Sequence, residues 1–79
     1  MRSDEVPEWT LGDRLRKARE HAGLSQEQMA RLLHVSPATI SNWETGARHA
    51  RGGEINMARR WAKETRVPET WLLVGDRPT

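Results

Sequence analysis

Residues 23–46 read GLSQEQMARLLHVSPATISNWETG, and this stretch restricts the fold more than any other. Met29, Leu33, Val35, Ile40 and Trp43 fall at spacings that put them on the inner sides of two short helices, with small Ala30 between them. Each helix has its own start signal. Ser25 is an N-cap with Gln28 three residues on, a capping box. Ser36 is an N-cap followed by Pro37 in the first helical position, where a missing N–H costs nothing. The first helix of the pair ends near Leu33, and a turn runs through His34, Val35 and Ser36. The second reaches about Thr45, where Gly46 stops it. Such a pair crosses at a steep angle, with one side buried and the outer side of its second helix left free. A helix held out in this way fits the major groove of duplex DNA.

The flanking segments complete an all-α pattern. Thr10 and Asp13 form a capping box for a helix from about Leu11 to Ala22, with Leu11, Leu15, Ala18 and Ala22 as its apolar stripe and Gly23 as its left-handed end. A fourth helix spans about Glu54 to Arg66, with Ile55, Ala58, Trp61 and Ala62 inward. A short fifth helix begins at Pro68, carries Trp71, Leu72 and Leu73, and stops at Gly75. The expected core is Leu11, Leu15, Ala18, Leu24, Met29, Ala30, Leu33, Val35, Ile40, Trp43, Ile55, Ala58, Trp61, Ala62, Val67, Trp71 and Leu72. With no Phe or Tyr in the chain, Trp and Leu must supply most of the buried volume. The organisation read from this pattern is an N-terminal arm over residues 1–9, a five-helix domain over 10–75 and a tail over 76–79.

Composition removes several classes. At 79 residues one small domain is the default. There is no Cys, hence no disulfide framework, thiolate metal site or Cys nucleophile. His21, His34 and His49 are scattered, with no i, i+4 pair, so neither a metal site nor a cofactor is expected. No Gly-rich phosphate loop follows a strand and no His has an obvious nucleophile, so an enzyme is not expected. The start, MRSDEVPEWT, is acidic without an apolar run, unlike a signal peptide, and no stretch approaches a membrane span. A cytosolic protein would be unremarkable with this composition.

Charge is unevenly distributed. Residues 46–66 carry Arg48, Arg51, Arg59, Arg60, Lys63 and Arg66 against Glu54 and Glu64, a net of +4, whereas residues 1–10 carry −2. The basic excess follows directly after the free helix, where a phosphate-facing loop belongs. An ordinary solvated helix face explains the same charges. Arg14, Arg16 and Lys17 lie off the stripe of the first helix and read as solvated.

With these residues placed, the chain resembles the lambda-repressor-like, Cro/repressor-type helix-turn-helix family. The phrases LRKAREHAGLSQEQMARLL, VSPATISNWETG and PETWLLVG follow the family pattern, and the resemblance covers about Leu11 to Gly75. It implies five helices with the second and third as the reading unit, and a homodimer on a near-palindromic double-stranded DNA operator. It also implies a sequence-specific transcriptional regulator, most simply a phage Cro or repressor or a bacterial regulator of the same family, in the cytoplasm of a bacterial host and held at the nucleoid by DNA. By position, Gln26 matches the Gln that opens the second helix and touches the DNA backbone. Ser36, Pro37, Ala38, Ser41 and Asn42 match the base-facing positions of the reading helix. Arg19 and Glu44 match a buried ion pair. The chain departs from the pattern in having His34 for the usual turn Gly, Thr65 for a Leu, and no Pro in the loop after the third helix.

Asn42 is the strongest candidate for reading a base, because its amide can pair with adenine N6 and N7; a phosphate contact is the alternative. Ala38 meets a thymine methyl or is merely a good helix former. Ser36 doubles as cap and contact, and Thr39 reads as a backbone contact. No Arg and no Gln aims at a guanine from this surface. Arg48 and Arg51 therefore either enter the minor groove and read DNA shape or contact phosphates only. A dimer interface is expected on the fifth helix and tail (Trp71, Leu72, Val74), with Met57, expected to be exposed, as a weaker candidate. No small-molecule inducer is expected. Two further classes stay open at this point: an antitoxin that regulates its own promoter, and a protein-binding adaptor on the same fold.

Overall fold

The computed structural model describes residues 9–46 and 53–75. Within them five helices follow in order: α1 (Leu11–His21), α2 (Gln26–Leu33), α3 (Pro37–Thr45), α4 (Glu54–Thr65) and α5 (Glu69–Val74). No strand occurs among the described residues, so the expected all-α five-helix architecture is the observed one.

Local chemistry sets the helix starts. Thr10 Oγ1 accepts the Asp13 N–H at 3.1 Å, and Asp13 returns a bond to the Thr10 N–H at 3.0 Å. That backbone bond holds the Asp13 carboxyl below its ordinary value of 3.8. Its contribution is present above that value and is lost as pH falls through the lowered pKa. Ser25 and Gln28 form the same reciprocal pair at 3.0 and 2.8 Å. Ser36 Oγ accepts the Thr39 N–H at 3.1 Å, with Pro37 at the next position. Helices α4 and α5 start without a side-chain cap, behind Gly53 and Pro68.

The core takes one large side chain from each helix. Leu15, Met29, Ile40, Trp61 and Leu72 are all fully buried. Trp61 also donates its Nε1–H to the Leu15 carbonyl at 3.0 Å, which ties α4 to α1. Trp43 packs half-buried beside it, ring centroids 6.4 Å apart. Leu11, Leu24, Val35, Val67 and Trp71 line the margin.

Two expectations about α4 are reversed. Ile55 is 58% exposed, whereas Met57 is buried at 7%. The stripe facing the core runs through Met57, Ala58, Trp61, Ala62 and Thr65. At 100° per residue Met57 lies roughly 40° from Trp61 around the helix and Ile55 roughly 120°, so angular phase overrides the greater hydrophobicity of Ile. Thr65 is buried yet satisfied, because its Oγ1 donates to the Trp61 carbonyl at 2.7 Å. Burial also removes Leu72 and Met57 from the residues available to a dimer interface.

Arg14 corrects a third expectation. Its Nε and Nη2 donate to the carbonyls of Leu72 and Leu73 at 2.8 and 3.2 Å, and its Nη1 donates to the Trp9 carbonyl at 2.8 Å. It thus closes the last turn of α5 rather than facing solvent. Arg16 is exposed beside Asp13 and Glu20, and Lys17 lies 5.7 Å from the centre of the exposed Trp9 ring.

Gly12 sets the closest approach of α1 to α3. A Cβ there would overlap the carbonyl oxygen of Glu44 and lie 2.9 Å from that of Trp43. Helix propensity alone favours Gly12→Ala by about 1 kcal/mol. The obstacle is backbone, which has no rotamer to escape into, and overpacking costs about 1–3 kcal/mol. The clash wins, and urea unfolding of Gly12→Ala is expected to show a net loss of about 1–2 kcal/mol. A gain in stability would mean that the two helices are not in backbone contact here.

Candidate nucleic-acid interface

Helix α3 is anchored by Ile40 and Glu44, both buried, and by half-buried Trp43. Ala38 and Asn42 lie roughly 160° around the helix from the centre of that anchor and so point away from the core. Ser36, Pro37 and Ala38 are exposed; Thr39, Ser41 and Asn42 are half-buried. These residues form one continuous edge at the outer side of α3. The Asn42 backbone carbonyl accepts from Thr45 Oγ1 at 3.3 Å. Its side-chain carboxamide has no hydrogen-bond partner among the described residues. Thr39 Oγ1 and Ser36 Oγ lie 3.0 Å apart, so the capping hydroxyl and its neighbour are hydrogen-bonded, either one donating, at the start of the helix. Arg48 and Arg51 lie outside the described residues.

Behind this edge sits a buried polar network. Arg19 Nε donates to Glu44 Oε2 at 2.6 Å, and Arg19 Nη2 donates to Glu44 Oε1 at 3.1 Å, a fork-to-fork ion pair joining α1 to α3. Arg19 Nη1 donates to the Leu24 carbonyl at 2.8 Å, just before α2 begins. Gln26, at the start of α2, donates its Nε2–H to Glu44 Oε1 at 3.1 Å. Every helix of the reading unit is therefore tied to one carboxylate. Sequence reasoning placed Gln26 and Glu44 separately and missed their bond, because 18 residues separate them and no local pattern records it.

The turn between α2 and α3 uses His34 in the left-handed region, φ 61° and ψ 44°, with its N–H on the carbonyls of Ala30 and Arg31. Val35 N–H reaches back to the Ala30 carbonyl at 2.9 Å. A non-glycine residue in this region costs roughly 1–2 kcal/mol, partly offset by the greater chain entropy that glycine loses on folding. His34→Gly is expected to stabilise the fold by about 0.5–1 kcal/mol and to raise the thermal midpoint by about 2–8 °C. An unchanged midpoint would show that the imidazole makes up the difference.

Among the described residues no group of three or more His, Asp or Glu side chains is placed to hold a metal ion. No described helix is long and apolar enough to cross a membrane.

Comparison with known proteins returns two matches. The helix-turn-helix domain family matches the chain over residues 10–70. The HTH-type transcriptional regulator DicA of Escherichia coli (strain K12) is 29% identical over 72 residues, which is 91% of this chain and 51% of that protein. The chain thus spans about half the length of this curated relative. No solved structure matches.

Proposed function

Because the chain belongs to the helix-turn-helix domain family, we propose that it binds duplex DNA by sequence and regulates transcription, as a Cro- or repressor-type protein occupying a near-palindromic operator as a dimer. One observation carries the reading. The outer edge of α3 presents Ala38 and an Asn42 carboxamide with no partner among the described residues, while Ile40 and Glu44 hold the same helix from behind.

On the operator, Asn42 accepts from and donates to an adenine edge, and Ala38 meets a thymine methyl. Ser36, Pro37 and Ser41 face neighbouring bases. Gln26, Thr39, Arg48 and Arg51 contact the backbone and fix register. Regulation follows from occupancy: a dimer over the promoter excludes polymerase. Val74, 79% exposed at the end of α5, and half-buried Trp71 are the apolar residues this helix offers a partner copy.

Selection from a random duplex library, followed by footprinting, yields the half-site and its spacing. Asn42→Ala is expected to weaken binding to the enriched duplex by about 1–3 kcal/mol and to relax preference at a single adenine position. Its folding stability should be unchanged. Equal affinity of the unaltered protein for every duplex would sink the proposal. Sedimentation showing one protein per operator would remove the dimer.

A further inference from the structure

We propose that Glu44 is a positioning residue for DNA binding: it orients the Gln26 carboxamide so that one N–H is aimed at a backbone phosphate. The inference rests on the DNA reading above and adds to it a coupling between the buried ion pair and the surface contact.

The orientation of the amide follows from chemistry. A carboxylate can only accept, so the end of Gln26 that meets Glu44 Oε1 at 3.1 Å must be the NH2 group. That nitrogen carries two hydrogens. One is taken by Glu44, and the other has no partner among the described residues and belongs to a side chain that is only half-buried. Reversing the amide would turn an acceptor oxygen toward the carboxylate, leaving two acceptors face to face with no proton between them.

The carboxylate itself cannot turn. Arg19 holds both of its oxygens, at 2.6 and 3.1 Å. The same guanidinium holds the Leu24 carbonyl at 2.8 Å, two residues before Gln26. Arg19 therefore fixes both the group that orients the amide and the chain that carries it. It also cancels the Glu44 charge, which would otherwise repel the phosphate that Gln26 is to meet. Preorganisation of this kind lowers the ordering cost of the contact.

The test is a cycle in DNA affinity. Gln26→Ala is made in the unaltered protein and in an Arg19→Met/Glu44→Leu background, which removes the acceptor without stranding a charge. The probes are the enriched duplex and a random-sequence duplex. In the unaltered protein Gln26→Ala is expected to weaken both by about tenfold, with no change in the slope of affinity against salt, because Gln releases no counterion. In the double-substituted background the same change should cost less than about threefold. Equal losses in the two backgrounds, or a loss of folding stability with affinity intact, overturn the inference. Should the background not fold, side-chain amide NMR of the unbound protein decides. One Gln26 Nε2 proton protected from solvent upholds the orientation, and two freely exchanging protons overturn it. Failure of the unaltered protein to bind any duplex instead overturns the DNA reading itself.

Discussion

Trp61→Ala is expected to remove about 3–5 kcal/mol of folding stability and with it most of the cooperative transition. A domain of this length has a total of only about 4–12 kcal/mol to lose. The indole is fully buried, packs beside Trp43 of α3 and bonds to α1. Its removal opens a void in the core it shares with Leu15, Met29, Ile40 and Leu72, side chains fixed to their own helices. It also deletes the only side-chain hydrogen bond that runs from α4 to α1 among the described residues. Trp61→Phe separates the two contributions. It keeps most of the volume and loses the bond, so urea unfolding should show a smaller drop, with about 1 kcal/mol assignable to the indole N–H. A Trp61→Ala protein with a sharp transition and a loss under about 1 kcal/mol would mean that the core is centred elsewhere.

Arg19→Ala is expected to cost about 3–5 kcal/mol, because it strands a buried carboxylate. Glu44 is only 4% exposed, and without Arg19 its two oxygens keep, among the described residues, just the Gln26 amide. The ion pair itself need not add net stability, since the desolvation of both groups offsets much of their attraction. The contrast between single and double replacement makes this testable. Arg19→Met/Glu44→Leu, which leaves no charge behind, should recover most or all of the loss in urea melts. A single replacement costing less than 1 kcal/mol would show that the pair is not buried in solution. A double replacement as damaging as the single one would show that the bridge is worth more than its desolvation.

What the sequence makes legible is the local grammar of the chain. Thr10 with Asp13, Ser25 with Gln28, and Ser36 with Pro37 are start signals whose partners lie within three residues, and each is formed as written. Gly23 and Gly46 take up positive φ at the ends of their helices. Four features were not legible, each for lack of a local trace. Gly12 matters only because the backbone of α3 passes against it. Arg14 finds carbonyl partners 58 and 59 residues away. Ile55 outranks Met57 by hydrophobicity but not by angle around α4. The Gln26–Glu44 bond exists only once α2 and α3 have crossed. In the candidate interface, the outward residues of α3 follow from helical period, because inward Ile40 and Trp43 are apparent in the spacing; the burial of Glu44 came only from the family resemblance. Which base each meets depends on a duplex the chain does not encode.

Arg14 has one more effect. A single guanidinium grips the carbonyl of Trp9, ahead of the first helix, and those of Leu72 and Leu73, in the last. Neither extremity of the bundle can fray without loosening the other, so the opening and closing turns melt as one unit and not as two independent frayed ends.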